Sequence, residues 1–130
     1  VASTKLDPVL REVAGLAVGV AVDNHYGVAF HSTMLSSLGL DDADIDGMRK
    51  GHAPSDDTAA ATHQLAREIV LARGKVSDAT ITQATEAGLD IEAILEIVLE
   101  ATFAGLVGTI DNLANHVDLD DFLAPRAWES

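Results

Sequence analysis

The stretch Glu12-Val-Ala-Gly-Leu-Ala-Val-Gly-Val-Ala-Val-Asp-Asn-His-Tyr-Gly-Val-Ala-Phe-His31 decides the fold. Val9, Val13, Leu16 and Val20 recur every three or four residues, with Pro8 just ahead of them, which reads as a helix opening near the proline. A second helix runs from about Asn24 to Leu38, with Phe30, Met34 and Leu38 as its apolar stripe and Gly39 as its stop. Joined by so short a turn, the two helices must pack antiparallel.

Three features converge in this hairpin. Glu12 lies off the apolar stripe of its helix, and Gly15 and Gly19 share its face. Each glycine costs a helix interior roughly 1 kcal/mol against alanine, so something must come close to that face, either the neighbouring helix or a functional group. Asn24, Gly27 and His31 share a face of the second helix, starting at its N-terminus, where free N–H groups and the positive dipole end favour an anion or a developing oxyanion. His31 is the group on that face that exchanges protons near neutral pH. Glu12 and His31 stand about 18 and 10 Å along their helices from Asn24, so they can face one pocket without having to touch. A carboxylate and an imidazole so placed form an acid/base pair, whereas a histidine used only for packing would leave the pocket filled. An open pocket with both side chains pointing in favours an enzyme, and one plugged by Phe30 or Met34 favours a retired site.

Helical periodicity continues through the rest of the chain. A short third helix follows Asp41-Asp42, uses Ile45 and Met48, and closes at Gly51. After a loop from His52, Ser55 is the expected cap of a fourth helix that runs to about Arg73 and stops at Gly74. Ser77 caps a fifth helix ending at Gly88, and Asp90 caps a last one reaching about His116, buried on most sides around Ile94, Val98, Leu106 and Ile110. The tail beyond Val117 is expected to lie along the surface or a partner. The expectation is a single all-α domain over residues 1–130, of about six helices, with a long buried C-terminal helix.

Composition narrows the function. The chain carries a net charge of −13 with 8 basic residues, so it lacks the clustered cations that phosphate backbones or anionic membranes require. It has no cysteine, which excludes disulfides, thiolate nucleophiles and thiolate-bound metals. No Gly-x-Gly-x-x-Gly or P-loop motif supports a nucleotide cofactor, and His25 and His31, six apart, do not share a helical face for a metal. The stretch Val1–Asp7 lacks a basic leader-like segment, and the apolar runs Val13–Val22 and Ile97–Ile110 are short for a membrane span. A soluble, cytoplasmic protein without metal or cofactor is expected. His52 and His63 read as surface residues. Aromatics make up only 4 % against 48 % hydrophobic residues, so the core must be built from small aliphatic side chains. That apolar excess in so small a domain, and the stripe Ala101, Gly105 and Gly108, predict a homo-oligomer.

The spacing resembles that of the alkylhydroperoxidase D / carboxymuconolactone decarboxylase superfamily. Its pattern is a Glu followed twelve residues later by Cys-x-x-Cys-x-x-x-His; here these positions hold Glu12, Asn24, Gly27 and His31, with Tyr26 where the family often has a Tyr. Leu6-Asp-Pro-Val-Leu-Arg-Glu12, Gly39-Leu-Asp-Asp-Ala-Asp-Ile45 with Arg49-Lys-Gly51, Val76-Ser-Asp, Ala87-Gly-Leu-Asp-Ile-Glu-Ala-Ile94 and Asn112-Leu-Ala-Asn-His116 resemble successive blocks of the family. The resemblance implies the family's helical fold and a trimer or hexamer built partly from the last helix. It also implies that peroxidase activity is lost, because neither Asn24 nor Gly27 can be oxidised by a peroxide. The decarboxylase branch likewise lacks the cysteine pair and resembles this chain in a Tyr and a His five residues apart, as in Tyr26 and His31, although its Glu-Trp after the Tyr is Gly27-Val28 here.

Two functions follow. One is a cofactor-free acid/base enzyme acting by decarboxylation, isomerisation or lactone chemistry on a small organic acid. Glu12, His31 and Tyr26 would be its catalytic residues, and Asn24, His25, Gly27 and His116 would bind the substrate. The other is a non-catalytic descendant of a peroxidase that binds a small molecule or serves as an oligomeric structural protein. His25 can equally be a plain turn residue, and His116 a helix cap.

Overall fold

Pro8 is pre-set for a helix and opens α1 (Pro8–Ala21), while Asp7 caps it by accepting the Val9 N–H at 2.8 Å. The chain then forms α2 (His25–Ser37), α3 (Asp42–Arg49), α4 (Asp57–Ala72), α5 (Asp78–Glu86), α6 (Ile91–Leu113) and a 3-10 turn over Asp121–Arg126. These elements come from a computed structural model that describes residues 6–129. Residues 1–5, at the start of the Val1–Asp7 stretch, and residue 130 lie outside the described residues. The described residues contain no strand, so the expected all-α class holds. Ser77 and Asp90 cap their helices as expected, and Asn24, expected within the second helix, is its cap; each accepts an N–H three residues on. The cap of α4 is Asp56, not Ser55, because Ser55 is drawn away by Asp44, which accepts its N–H at 3.0 Å and its hydroxyl at 2.9 Å.

α1 is the central element, buried without a break from Val13 to Gly19. On one side it packs with α4 and α6 around Val18, Leu65, Ile97 and Ala101; on the other, with α2 and α3 around Leu16, Val28, Leu35, Ile45 and Met48. α2 turns Val28, Ala29, Ser32 and Leu35 inward rather than the expected Phe30, Met34 and Leu38, and Leu38 is 43 % exposed. The small side of α2 is the one that fits against the glycines of α1, which rotates Phe30 toward a cavity.

The last helix is the longest, but in the single chain it is not buried on most sides. Only Ile97, Ala101, Ala104, Gly108 and Asp111 are buried, while Leu95, Leu99, Leu106 and Ile110 each keep more than half of their surface exposed. Nor does the small-residue stripe face outward. A Cβ at Gly108 would lie 2.6 Å from Val22 Cγ2, and one at Gly105 would lie 3.3 Å from Val70 Cγ2, so both glycines seat α6 on its own chain. Contrary to the sequence expectation of a run too short to span, α6 has 23 residues and contains an 18-residue window with a mean hydropathy of 1.8, so it is long and apolar enough to cross a membrane by length and composition. Its inner face is instead packed against α1, α2 and α4.

The tail lies along its own chain. Arg49 donates to the carbonyls of Arg126 and Ala127, both at 2.8 Å, and Trp128 Nε1 donates to the Arg49 carbonyl at 2.9 Å.

His63 departs from expectation. It is 3 % exposed within α4, and burial, with the nearby Arg67 charge, lowers its pKa from 6.5 to about 4. The unfolded chain therefore takes up this proton first, and stability should fall as pH drops from about 6.5 toward 4. The shift corresponds to roughly 2–3 kcal/mol across that window. Urea titrations at pH 7 and pH 4.5 should show that loss in the parent, and His63→Leu should remove most of it.

Candidate active site

The hairpin turn sets the geometry. α1 ends at Ala21, Asp23 takes a left-handed backbone at φ 61°, and the Asn24 N–H closes the turn onto the Gly19 carbonyl at 2.9 Å. α2 thus returns directly along the glycine face of α1. The two glycines have different roles. Gly19 receives the other helix, since a Cβ there would sit 3.2 Å from Val28 Cγ2. Gly15 receives the imidazole: its Cβ would fall within 2.7 Å of Cε1, Nε2 and Nδ1 of His31.

With the ring laid on Gly15, one helical turn from Glu12, the acid and the base meet. His31 Nδ1 and Glu12 Oε1 are 2.8 Å apart, and Arg11 Nε lies 4.0 Å from the other carboxylate oxygen. The carboxylate fixes the tautomer and the plane of the ring, leaving Nε2 as its open nitrogen. Phe30 stands edge-on to the imidazole, with ring centroids 5.3 Å apart.

This pair forms one wall of a cavity of about 270 Å³, lined also by Asn24, Tyr26, Gly27, Phe30, Glu100, Phe103, Ala104 and Val107. The cavity is open. Phe30 is part of its wall, and Met34 does not reach it. Five of the seven residues expected at the site line it: Glu12, Asn24, Tyr26, Gly27 and His31.

Their individual roles differ from expectation. Asn24 is 2 % exposed and its Oδ1 accepts the Gly27 N–H at 2.9 Å, while Asp111 Oδ2 accepts the His25 N–H at 3.0 Å. The His25 and Gly27 N–H groups at the helix N-terminus are therefore spoken for within the protein. Tyr26 donates its hydroxyl to Asp120 Oδ2 at 2.7 Å; that bond, burial and the Asp120 charge raise its pKa. Its proton is held away from any substrate, and the ring serves as wall.

His25 and His116 do not line this cavity. They stack face to face, with centroids 3.5 Å apart and planes within 3°, in a separate groove beside Trp128. The buried Asp111 holds both: it accepts from His25 N–H, pairs with His116 Nδ1 at 2.7 Å and accepts the Val117 N–H at 2.9 Å. Burial opposes ionisation of Asp111, but these bonds outweigh it and lower its pKa. Asp23 joins the cluster, with Oδ1 3.3 Å from His25 Nε2. The ligand-capable atoms of Asp23, His25 and His116 lie within 4.8 Å of one another, yet parallel rings aim their in-plane lone pairs side by side rather than at one point. The cluster pins the start of α2 to the end of α6.

Glu100 is the lining residue that sequence reading passed over. It interrupts the apolar run of α6, and a charge inside such a run is the signal that could have found it. Half-buried, it has its pKa raised chiefly by burial, with Glu12 adding to the shift while Arg11 and His31 oppose it. Phe103, Ala104 and Val107 join it from the same helix.

The model of the carboxymuconolactone decarboxylase family matches residues 1–67, which include Glu12 and His31. Among solved structures, the crystal structure of an uncharacterized peroxidase-related protein from Silicibacter sp. TM1040 superposes with a TM-score of 0.77 at 15 % identity, over 88 % of this chain and 61 % of that one. At that identity the likeness speaks for the fold alone, and this chain spans only about 61 % of that protein's length. No curated protein matches the chain.

Proposed function

Since the chain belongs to the carboxymuconolactone decarboxylase family, whose model covers residues 1–67, we propose that it is a cofactor-free acid/base enzyme of that family type. The observation that carries this reading is the 2.8 Å contact between Glu12 Oε1 and His31 Nδ1 at the wall of an open cavity. His31 moves the proton through Nε2, and Glu12 holds the ring and stabilises the imidazolium that forms. Decarboxylation, isomerisation and lactone chemistry share one step, proton transfer at a carbon beside a carbonyl, and that is the step this pair supplies. The chain has no cysteine, so thiol peroxidase chemistry is outside its reach. The open cavity favours the enzyme over a retired, plugged site. The enzyme works in solution in the cytoplasm as a trimer or hexamer, its partners being its own copies and a small-molecule substrate.

The proton step can be read without knowing the natural substrate. In D2O the α-protons of acetophenone exchange slowly, and proton NMR follows their loss. The protein should accelerate this exchange, and Glu12→Gln should slow it by about 10- to 100-fold, because the amide cannot stabilise the imidazolium. Equal rates with and without protein would overturn the proposal.

A further inference from the structure

We propose that Glu100 is the acid that completes this site, giving its proton to the substrate oxygen while His31 takes one from the neighbouring carbon, and that the substrate is consequently an uncharged, largely apolar carbonyl compound. This rests on the acid/base reading of the Glu12–His31 pair. Removing a proton beside a carbonyl places negative charge on the carbonyl oxygen, and that charge must be met by a donor. Three donors near the cavity are committed elsewhere. The Gly27 N–H goes to Asn24, the His25 N–H to Asp111, and the Tyr26 hydroxyl to Asp120. Glu100 lines the cavity with Glu12 and His31, and no hydrogen bond or ion pair among the described residues engages its carboxyl group. Its half-buried position holds the proton to higher pH than an ordinary glutamate would, which is what a donating carboxylic acid requires.

The proton count closes within the cavity. His31 Nε2 takes the α-proton, and the C–H electron pair becomes the new C=C bond. The carbonyl π pair forms an O–H bond with the proton of Glu100. The intermediate is a neutral enol between an imidazolium and a carboxylate. Return of the hydroxyl proton to Glu100 and of the Nε2 proton to carbon restores both residues. When a solvent deuteron first replaces the Nε2 proton, delivery to the original carbon gives exchange, and delivery to a conjugated carbon gives an isomer.

The substrate's charge follows from the walls. Among the described residues, two carboxyl groups and no Lys or Arg line the cavity, and Arg11 stands behind Glu12 on the far carboxylate oxygen. The remaining lining is Phe30, Phe103, Ala104, Val107 and Gly27, with Asn24, Tyr26 and His31. A carboxylate substrate would enter a net-acidic protein and lie beside the Glu12 carboxylate, with no cation in the described wall to receive it. The small organic acid expected from the sequence, and decarboxylation with it, gives way to isomerisation of an uncharged ketone, ester or lactone.

Acetophenone and benzoate share a ring and a size and differ by one charge. NMR titration at pH 7 should show acetophenone binding at least about tenfold more tightly, and Glu100→Gln, neutral like the protonated acid, should keep that preference. In the exchange assay Glu100→Gln should slow the reaction at least about tenfold while acetophenone affinity stays within about twofold. The parent rate should fall on the alkaline side as Glu100 ionises in the field of Glu12, Arg11 and His31, and Glu100→Gln should lose that limb. Benzoate binding as tightly as acetophenone would overturn the substrate class. Exchange lost in His31→Ala but intact in Glu100→Gln would overturn the acid while sparing the pair. Equal rates in the parent and His31→Ala would remove the pair, and Glu100 with it.

Discussion

His31→Ala is expected to lower the protein-accelerated exchange of acetophenone by about 10²–10⁴-fold, the range that a positioned general base contributes. The fold should survive, since His31 is not part of either apolar core cluster. The variant does leave Glu12 without its partner at 2.8 Å, with only Arg11 at 4.0 Å beside it, so some stability is lost along with the rate. A second variant separates the two effects. Gly15→Ala keeps the imidazole and the carboxylate but puts a methyl where the ring lies, within 2.7 Å of three ring atoms. The ring must swing away from Glu12, and the rate should fall nearly as far as in His31→Ala. Exchange at the parent rate in Gly15→Ala, with circular dichroism unchanged, would show that the ring's position does not matter and would end the acid/base reading.

Gly15 also shows how far the sequence could be read. Two glycines on the Glu12 face demand a close neighbour, but spacing does not say which. The answer is one of each: the helix backbone region at Val28 over Gly19, and the imidazole over Gly15. The hairpin and the convergence of Glu12 with His31 were legible because they depend on local periodicity and a short turn. What was not legible depends on partners distant in sequence. Asp120 takes the Tyr26 hydroxyl from 94 residues away, and Asp111 takes the His25 N–H from 86 away. No pattern within α2 announces either. His63 was missed for a similar reason: a histidine on a helix that reads as amphipathic is assigned outward, but α4 packs against both α1 and α6 and so needs a broader buried face. The burial of α6 was misjudged because hydrophobicity says that a surface is to be covered and not by what.

That cover is expected to be further copies of this chain, and breaking it should have a large effect. Ile91, Leu95, Val98, Leu99, Phe103, Leu106, Ile110 and Leu113 lie exposed along the 23 residues of α6, a stripe about 34 Å long at the standard rise. So long a contiguous apolar surface on a single chain marks a contact. A protein carrying a charge of −13 resists association with itself unless the contact is strongly apolar, which this stripe is. Leu99 and Leu106 lie on the stripe but outside the cavity lining, so either can be changed without touching the site. Leu99→Asp forfeits roughly 1.5–3 kcal/mol of burial per protomer and adds the cost of desolvating a carboxylate. In a symmetric assembly the loss recurs in every protomer, so association should weaken by at least about a hundredfold. Sedimentation velocity at micromolar concentration should show the parent as a trimer or hexamer and Leu99→Asp as a monomer. Because Phe103 of this stripe and the nearby Val107 also stand in the cavity wall, loss of the assembly should also loosen the cavity and weaken acetophenone binding. A parent that sediments as a monomer would mean that the stripe is covered by something other than this chain.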